Sequence, residues 1–120
     1  SIIPIPGGGD LADGDLTVRY QPERGSQKSI TFTDTEITVA DHFPGNFVEQ
    51  IPLLAPGGQI NLSANRATVD YGATQLIIAF DDATASVLPT KTIIAKKVLT
   101  VLRLSAKDAL TYDIRFASTP

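Results

Sequence analysis

The sequence contains no cysteine, no methionine and no tryptophan, and its only histidine is His42. Without cysteine there are no disulfides, no thiol nucleophile and no thiolate metal site. One histidine cannot form a zinc or copper cluster within a single chain. No apolar run approaches the roughly 18 residues of a bilayer-spanning helix, and the opening "SIIPIPGGGD" lacks the basic start and long apolar centre of a secretion signal. The expectation is a chain with no membrane partner, made inside the cell, with an initiator trimmed ahead of the small Ser1. "PGGGD" has neither the preceding strand nor the following Lys-Ser or Lys-Thr of a phosphate loop, and no Gly-x-Ser-x-Gly nucleophile elbow occurs.

What is present is the composition of one folded domain. Of the 120 residues, 42% are hydrophobic and 19% charged, enough to bury a core and too apolar for a disordered chain. The net charge of −3 is unevenly spread. Residues 1–60 hold three bases against eight acids, and residues 61–120 hold seven bases against five acids. Five of those bases, Lys91, Lys96, Lys97, Arg103 and Lys107, precede Asp108 with no acid among them. Such a stripe suits an acidic neighbour, whereas a pI near 4.9 argues against nucleic acid.

Periodicity points to strands. Leu16, Val18 and Tyr20 alternate with Thr17 and Arg19, and "SITFT" and "EITVA" flank a Thr33-Asp34-Thr35 link as a hairpin or a bent strand. Pro44-Gly45 in "DHFPGN" and Pro56-Gly57 in "APGG" both read as β-turns. "TQLIIAF" is apolar throughout and suits a strand buried on both faces. Residues 90–105, "TKTIIAKKVLTVLRLS", fit a helix with Lys96, Thr100, Arg103 and Lys107 on one face, but their β-branched content leans to a long strand with two apolar faces, one for a core and one for a neighbour. Leu110, Tyr112, Ile114 and Phe116 alternate most cleanly of all. The expected fold is all-β: a single antiparallel β-sandwich or jelly roll of about eight short strands, residues 10–120, behind an extended N-terminal arm and glycine hinge, residues 1–9. An OB-like barrel is the rival.

Candidate chemistry is sparse. Asp41 beside His42 could orient an imidazole for general-base work, though a lone histidine in a turn is more often a surface group. Asp10, Asp13 and Asp15 in "DLADGDLT" form a calcium candidate, but their spacing departs from that of a calcium loop and Asp13-Gly14 is an ordinary turn pair. Asp81-Asp82 could join them if the fold brought the groups together. Most aromatics occupy alternating core positions, leaving Phe43, Phe47 and Tyr71 as candidates for a stacking platform.

The arm is the remaining feature. Ile3 and Ile5 each precede proline and are confined to extended conformations, so Ile2, Ile3, Pro4, Ile5 and Pro6 form a preorganised apolar tag on the hinge Gly7, Gly8 and Gly9. The tag could cover its own domain or hold a neighbour. The sequence thus leads to a noncatalytic structural subunit that needs no cofactor and partners itself or another structural protein. A virion component such as a capsid decoration or cement protein, gripping its neighbours by the arm, is the concrete version. The alternative is a carbohydrate- or small-ligand-binding module, calcium-assisted through Asp10, Asp13 and Asp15.

Overall fold

The computed structural model describes residues 16–21 and 25–119. The tag and hinge at 1–9 and the acids Asp10, Asp13 and Asp15 lie outside them. The described residues form eight strands: β1 (Leu16–Tyr20), β2 (Gln27–Phe32), β3 (Glu36–Pro56), β4 (Asn61–Ser63), β5 (Arg66–Asp70), β6 (Thr74–Asp81), β7 (Thr84–Ile94) and β8 (Lys97–Ser118). All pair antiparallel, in the order β1-β2-β3-β8-β6-β5-β4, with β7 attached to β8. The expected all-β antiparallel class holds, with one difference: β3 and β8 are not short, at 21 and 22 residues.

These two strands pair from Glu36↔Arg115 to Pro56↔Lys97. A straight strand of that length would reach about 70 Å, yet the longest dimension of the molecule is 40 Å. The ladder therefore bends. Its register shifts between Phe43 and Asn46, where Gly45 has φ +83° and Asp108 on the opposite strand has φ +65°. The Gly45 N–H donates to the Asp108 carboxylate at 2.8 Å. Pro44-Gly45, expected to reverse the chain, thus forms a bulge within a continuing strand, because the facing strand supplies the acceptor a turn would have supplied internally. Pro56-Gly57 does reverse it: Gly58 N–H donates to the Ala55 carbonyl at 2.9 Å, with Gly57 at φ +64°.

Beyond the bend β8 changes partners. Residues 111–118 pair with β6 and residues 97–105 with β7. One sheet thereby makes two layers. The first is β1, β2, the start of β3, the end of β8, β6, β5 and β4; the second is the end of β3, the start of β8, and β7. Val39, Val69, Leu76, Ile78, Phe80, Leu110 and Tyr112 from the first meet Ile51, Ala55, Leu102 and Leu104 from the second in one core. The Tyr71 hydroxyl ties the layers by donating to the Leu54 carbonyl at 2.6 Å. β6 is covered on both faces as expected: Leu76, Ile78 and Phe80 enter the core, and Ile77, of opposite phase, is also buried.

Residues 90–105 are strand, not helix, but are cut by a two-residue turn. Ala95 and Lys96 have φ +51° and +66°, the all-positive pattern of a type I′ hairpin, here without the usual Asn or Gly. Just before it β7 loosens between Pro89 and Ile93. There the Thr90 hydroxyl donates to the Leu99 carbonyl at 2.7 Å, in place of a ladder amide.

Candidate functional site

The second layer presents two apolar faces. On β8, Leu102 and Leu104 turn into the core and Thr100 is fully buried, so alternation places Lys97, Leu99, Val101, Arg103, Ser105 and Lys107 on the opposite face. Cross-strand register sets Leu54 beside Leu99, Pro52 and Leu88 on either side of Val101, and Val48 beside Ser105. None of Val48, Pro52, Leu54, Leu88, Leu99 and Val101 is buried, and Leu88 remains 50% exposed. This is the arrangement the two-faced pattern of residues 90–105 suggested, reached with a strand on either side of β8.

Lys97, Arg103 and Lys107 of the expected basic stripe share this outer face. Lys91 sits in the loosened part of β7 and Lys96 in the turn, both exposed. Arg103 lies centrally between Gln50 and Ser86, with its Nε enclosed and unpartnered. The face is therefore apolar in the middle and cationic along β8. Its edges carry prolines, Pro52 and Pro56 on β3 and Pro89 on β7, which lack the amide that strand addition needs. What the second layer leaves open is its face rather than its edges.

Two acids counted with the acidic first half are not on the surface. Asp41 follows Ile37 and Val39 in phase, and Glu49 lies between Phe47 and Ile51, so both point between the layers. Lys28, paired with Asp41 in register, places its ammonium 3.4 Å from Asp41 Oδ1 and binds Glu49 Oε2 closely. The Tyr112 hydroxyl donates to the same Glu49 oxygen at 2.9 Å. Glu49 lies past the bulge and Asp41 before it, so the cluster fastens one arm of the bent β3 to the other. Neither Asp41 oxygen has a hydrogen bond. Burial and the neighbouring Glu49 carboxylate push the Asp41 carboxyl up to about 7, against the pull of Lys28. Burial would raise Glu49 as well, but Asp41, Lys28 and Tyr112 outweigh it and hold that carboxyl below its ordinary value. Two carboxyls with separated affinities can serve acid-base catalysis. Here the Asp41 side chain is only 1% exposed, and what the geometry shows the cluster doing is joining the two arms of β3.

The remaining candidates disperse. His42 is exposed on β3 between Gln27 and Ala109, and alternation turns it away from Asp41, so the dyad considered for general-base work does not form. Phe43 and Phe47 pack on each other across the bulge, ring centres 5.0 Å apart, and Tyr71 is held by Leu54. None of the three stands free as a stacking platform. A depression of about 530 Å³ opens between the bulge, the Asp82–Thr84 turn and Ser105–Lys107. Asp81 and Asp82 are exposed at its side, and among the described residues no group of three or more histidines and acids is placed to hold a metal ion. Sequence reasoning missed the Lys28–Asp41–Glu49–Tyr112 cluster. The available signal was phase: Asp41 and Glu49 each continue an apolar alternation. The sequence matches no family model and no curated protein.

Proposed function

We propose that the protein is a noncatalytic structural subunit of a larger assembly, of the kind a virion decoration or cement component represents, which associates with further copies of itself through the outer face of its second layer. The supporting observation is the second apolar face of β8, with Leu54, Leu88, Leu99 and Val101 side by side and none of them buried. A contiguous apolar face rimmed by charge marks an interaction surface, and covering each such side chain contributes about 1.5–3 kcal/mol. The cations beside it match the exposed acids Asp34, Asp70, Asp81 and Asp82 elsewhere on the molecule, which orients one copy on the next.

Sedimentation velocity and light scattering on the full chain and on Val101→Lys test this reading. The native chain is expected to form oligomers, and the variant to be monomeric with an unchanged far-ultraviolet spectrum. A native chain that stays monomeric at its highest soluble concentration, or a variant that assembles normally, refutes it.

A further inference from the structure

The two layers do not cover each other completely. Where β1 begins and β8 ends, the inner face of the first layer continues past the second layer as a row of apolar side chains. Phe32 pairs with Ile37, Ile37 with Ile114, and Phe116 with Leu76. Ile37 and Ile114 pack against the core, and Leu76 belongs to it. Phe116 follows Tyr112 and Ile114 in phase, so it points to the same side. Yet Phe116 is 65% exposed and Phe32 37%, and a groove of about 200 Å³ runs past Thr35, Ile37, Ile114 and Phe116. Two phenyl rings open to water beside a buried core form a floor that lacks its cover.

The chain has a candidate cover at the same place. Leu16 pairs with Phe32, so the preceding residues join the sheet at this end, and their sequence includes Ile2-Ile3-Pro4-Ile5-Pro6. We propose that residues 2–6 dock on this floor of their own domain, with the isoleucines against Phe32, Ile37, Ile114 and Phe116. This is separate from self-association through the second layer and stands without it.

Three physical points carry the inference. Chemistry matches: the segment is apolar, and Pro4 and Pro6 bring no amide N–H to be buried without a partner. Preorganisation helps: a residue before proline is restricted to extended conformations, as Ile3 and Ile5 are by sequence, so less conformational freedom is lost on docking. Reach decides between the chain's own floor and a neighbour's. From β1 to β8 is three strand spacings, about 14 Å, and a glycine-rich sequence of the length of residues 7–15 spans roughly 15–18 Å on average. A tether matched to its span gives the segment an effective concentration in the range of about 1 mM. A second copy would have to exceed that to displace it. On this ground the proposal sets capture by the arm's own domain ahead of its grip on a neighbour.

The absence of cysteine makes the test clean. In the full chain, Ile5→Cys combined with Phe116→Cys is oxidised at low protein concentration, with Ile5→Cys combined with Leu88→Cys as the control. Mixing isotopically heavy and light chains before oxidation distinguishes links within a chain from links between chains. The expected result is an intrachain disulfide in several-fold higher yield than in the control, reduced when Ile2 and Ile3 are both changed to serine. Heavy–light links at the share expected for random pairing between copies would show the arm exchanged between copies and overturn the proposal. A yield no higher than the control would overturn it as well. Either outcome leaves the oligomeric state of the native chain, and with it the assembly reading, to be judged separately.

Discussion

Replacing Asp41 with asparagine removes a negative charge that the interior does not balance. Lys28 supplies one ammonium to two carboxyls, and Glu49 holds it more closely while also accepting from Tyr112. Asp41 is left with a 3.4 Å ionic contact and no hydrogen bond. Its carboxyl is pushed to about 7 in the folded protein from an ordinary 3.8. Between these values the folded chain binds this proton more tightly than the unfolded chain does, so stability falls as pH rises through the window. Three pH units at 1.36 kcal/mol each amount to about 4 kcal/mol lost by pH 8. Glu49 has the opposite sign, but its contribution is lost only as pH falls below the ordinary carboxyl range, outside the interval that matters here. Asparagine keeps the shape and carries no charge at any pH. Urea titrations at pH 5 and pH 8, followed by circular dichroism, should show the native chain weakening toward pH 8, with Asp41→Asn nearly independent of pH and more stable there. At an m-value of about 1–3 kcal/mol/M the difference at pH 8 exceeds roughly 1 M in midpoint. A native chain as stable at pH 8 as at pH 5, or an Asp41→Asn protein weaker than native at pH 8, would refute the reasoning.

Two further substitutions probe the same interior and its margin. Lys28→Met leaves Asp41 and Glu49 facing each other without that ammonium, and should destabilise the fold by about 3–5 kcal/mol at pH 8; urea unfolding should show the loss shrinking at acidic pH, where the carboxyls take up protons. Lys96→Gly relieves a left-handed conformation at φ +66° in the β7–β8 turn and should stabilise the protein by about 1 kcal/mol; a thermal melt with an unchanged or lower midpoint would contradict the strain.

The sequence was legible wherever structure depends on near neighbours. Leu110, Tyr112 and Ile114 could be read as one face of a strand because alternation is local, and the two apolar phases of residues 97–104 were visible before anything was known of what lay on either side. Legibility ended where the decision is made across the sheet. Pro44-Gly45 and Pro56-Gly57 are the same dipeptide, yet one is a bulge and the other a reversal, because Asp108 on the opposite strand accepts the Gly45 amide. The Ala95-Lys96 turn carries no glycine or asparagine to announce it; the pairing of Ile93 with Val98 imposes it. The charged cluster draws on positions 28, 41, 49 and 112, which no window contains together. The outer face of the second layer was half legible: β8 announced its own contribution, while Leu54 and Leu88 joined it only through register.

The shared β3–β8 ladder also sets the order in which the molecule can be made. Pairing can begin at Pro56↔Lys97, but its last rungs join Glu36 to Arg115, far apart in sequence. Contacts so distant in sequence slow folding, because loop closure must precede the stabilisation they bring. Until residues 111–118 leave the ribosome, β3 has only β2 and β6 only β5 beside it in the first layer, and Val39 and Ile78 have no finished core to enter. A chain built this way spends its synthesis with sticky strands in the open, and its yield in a cell depends on how quickly residues 111–118 follow.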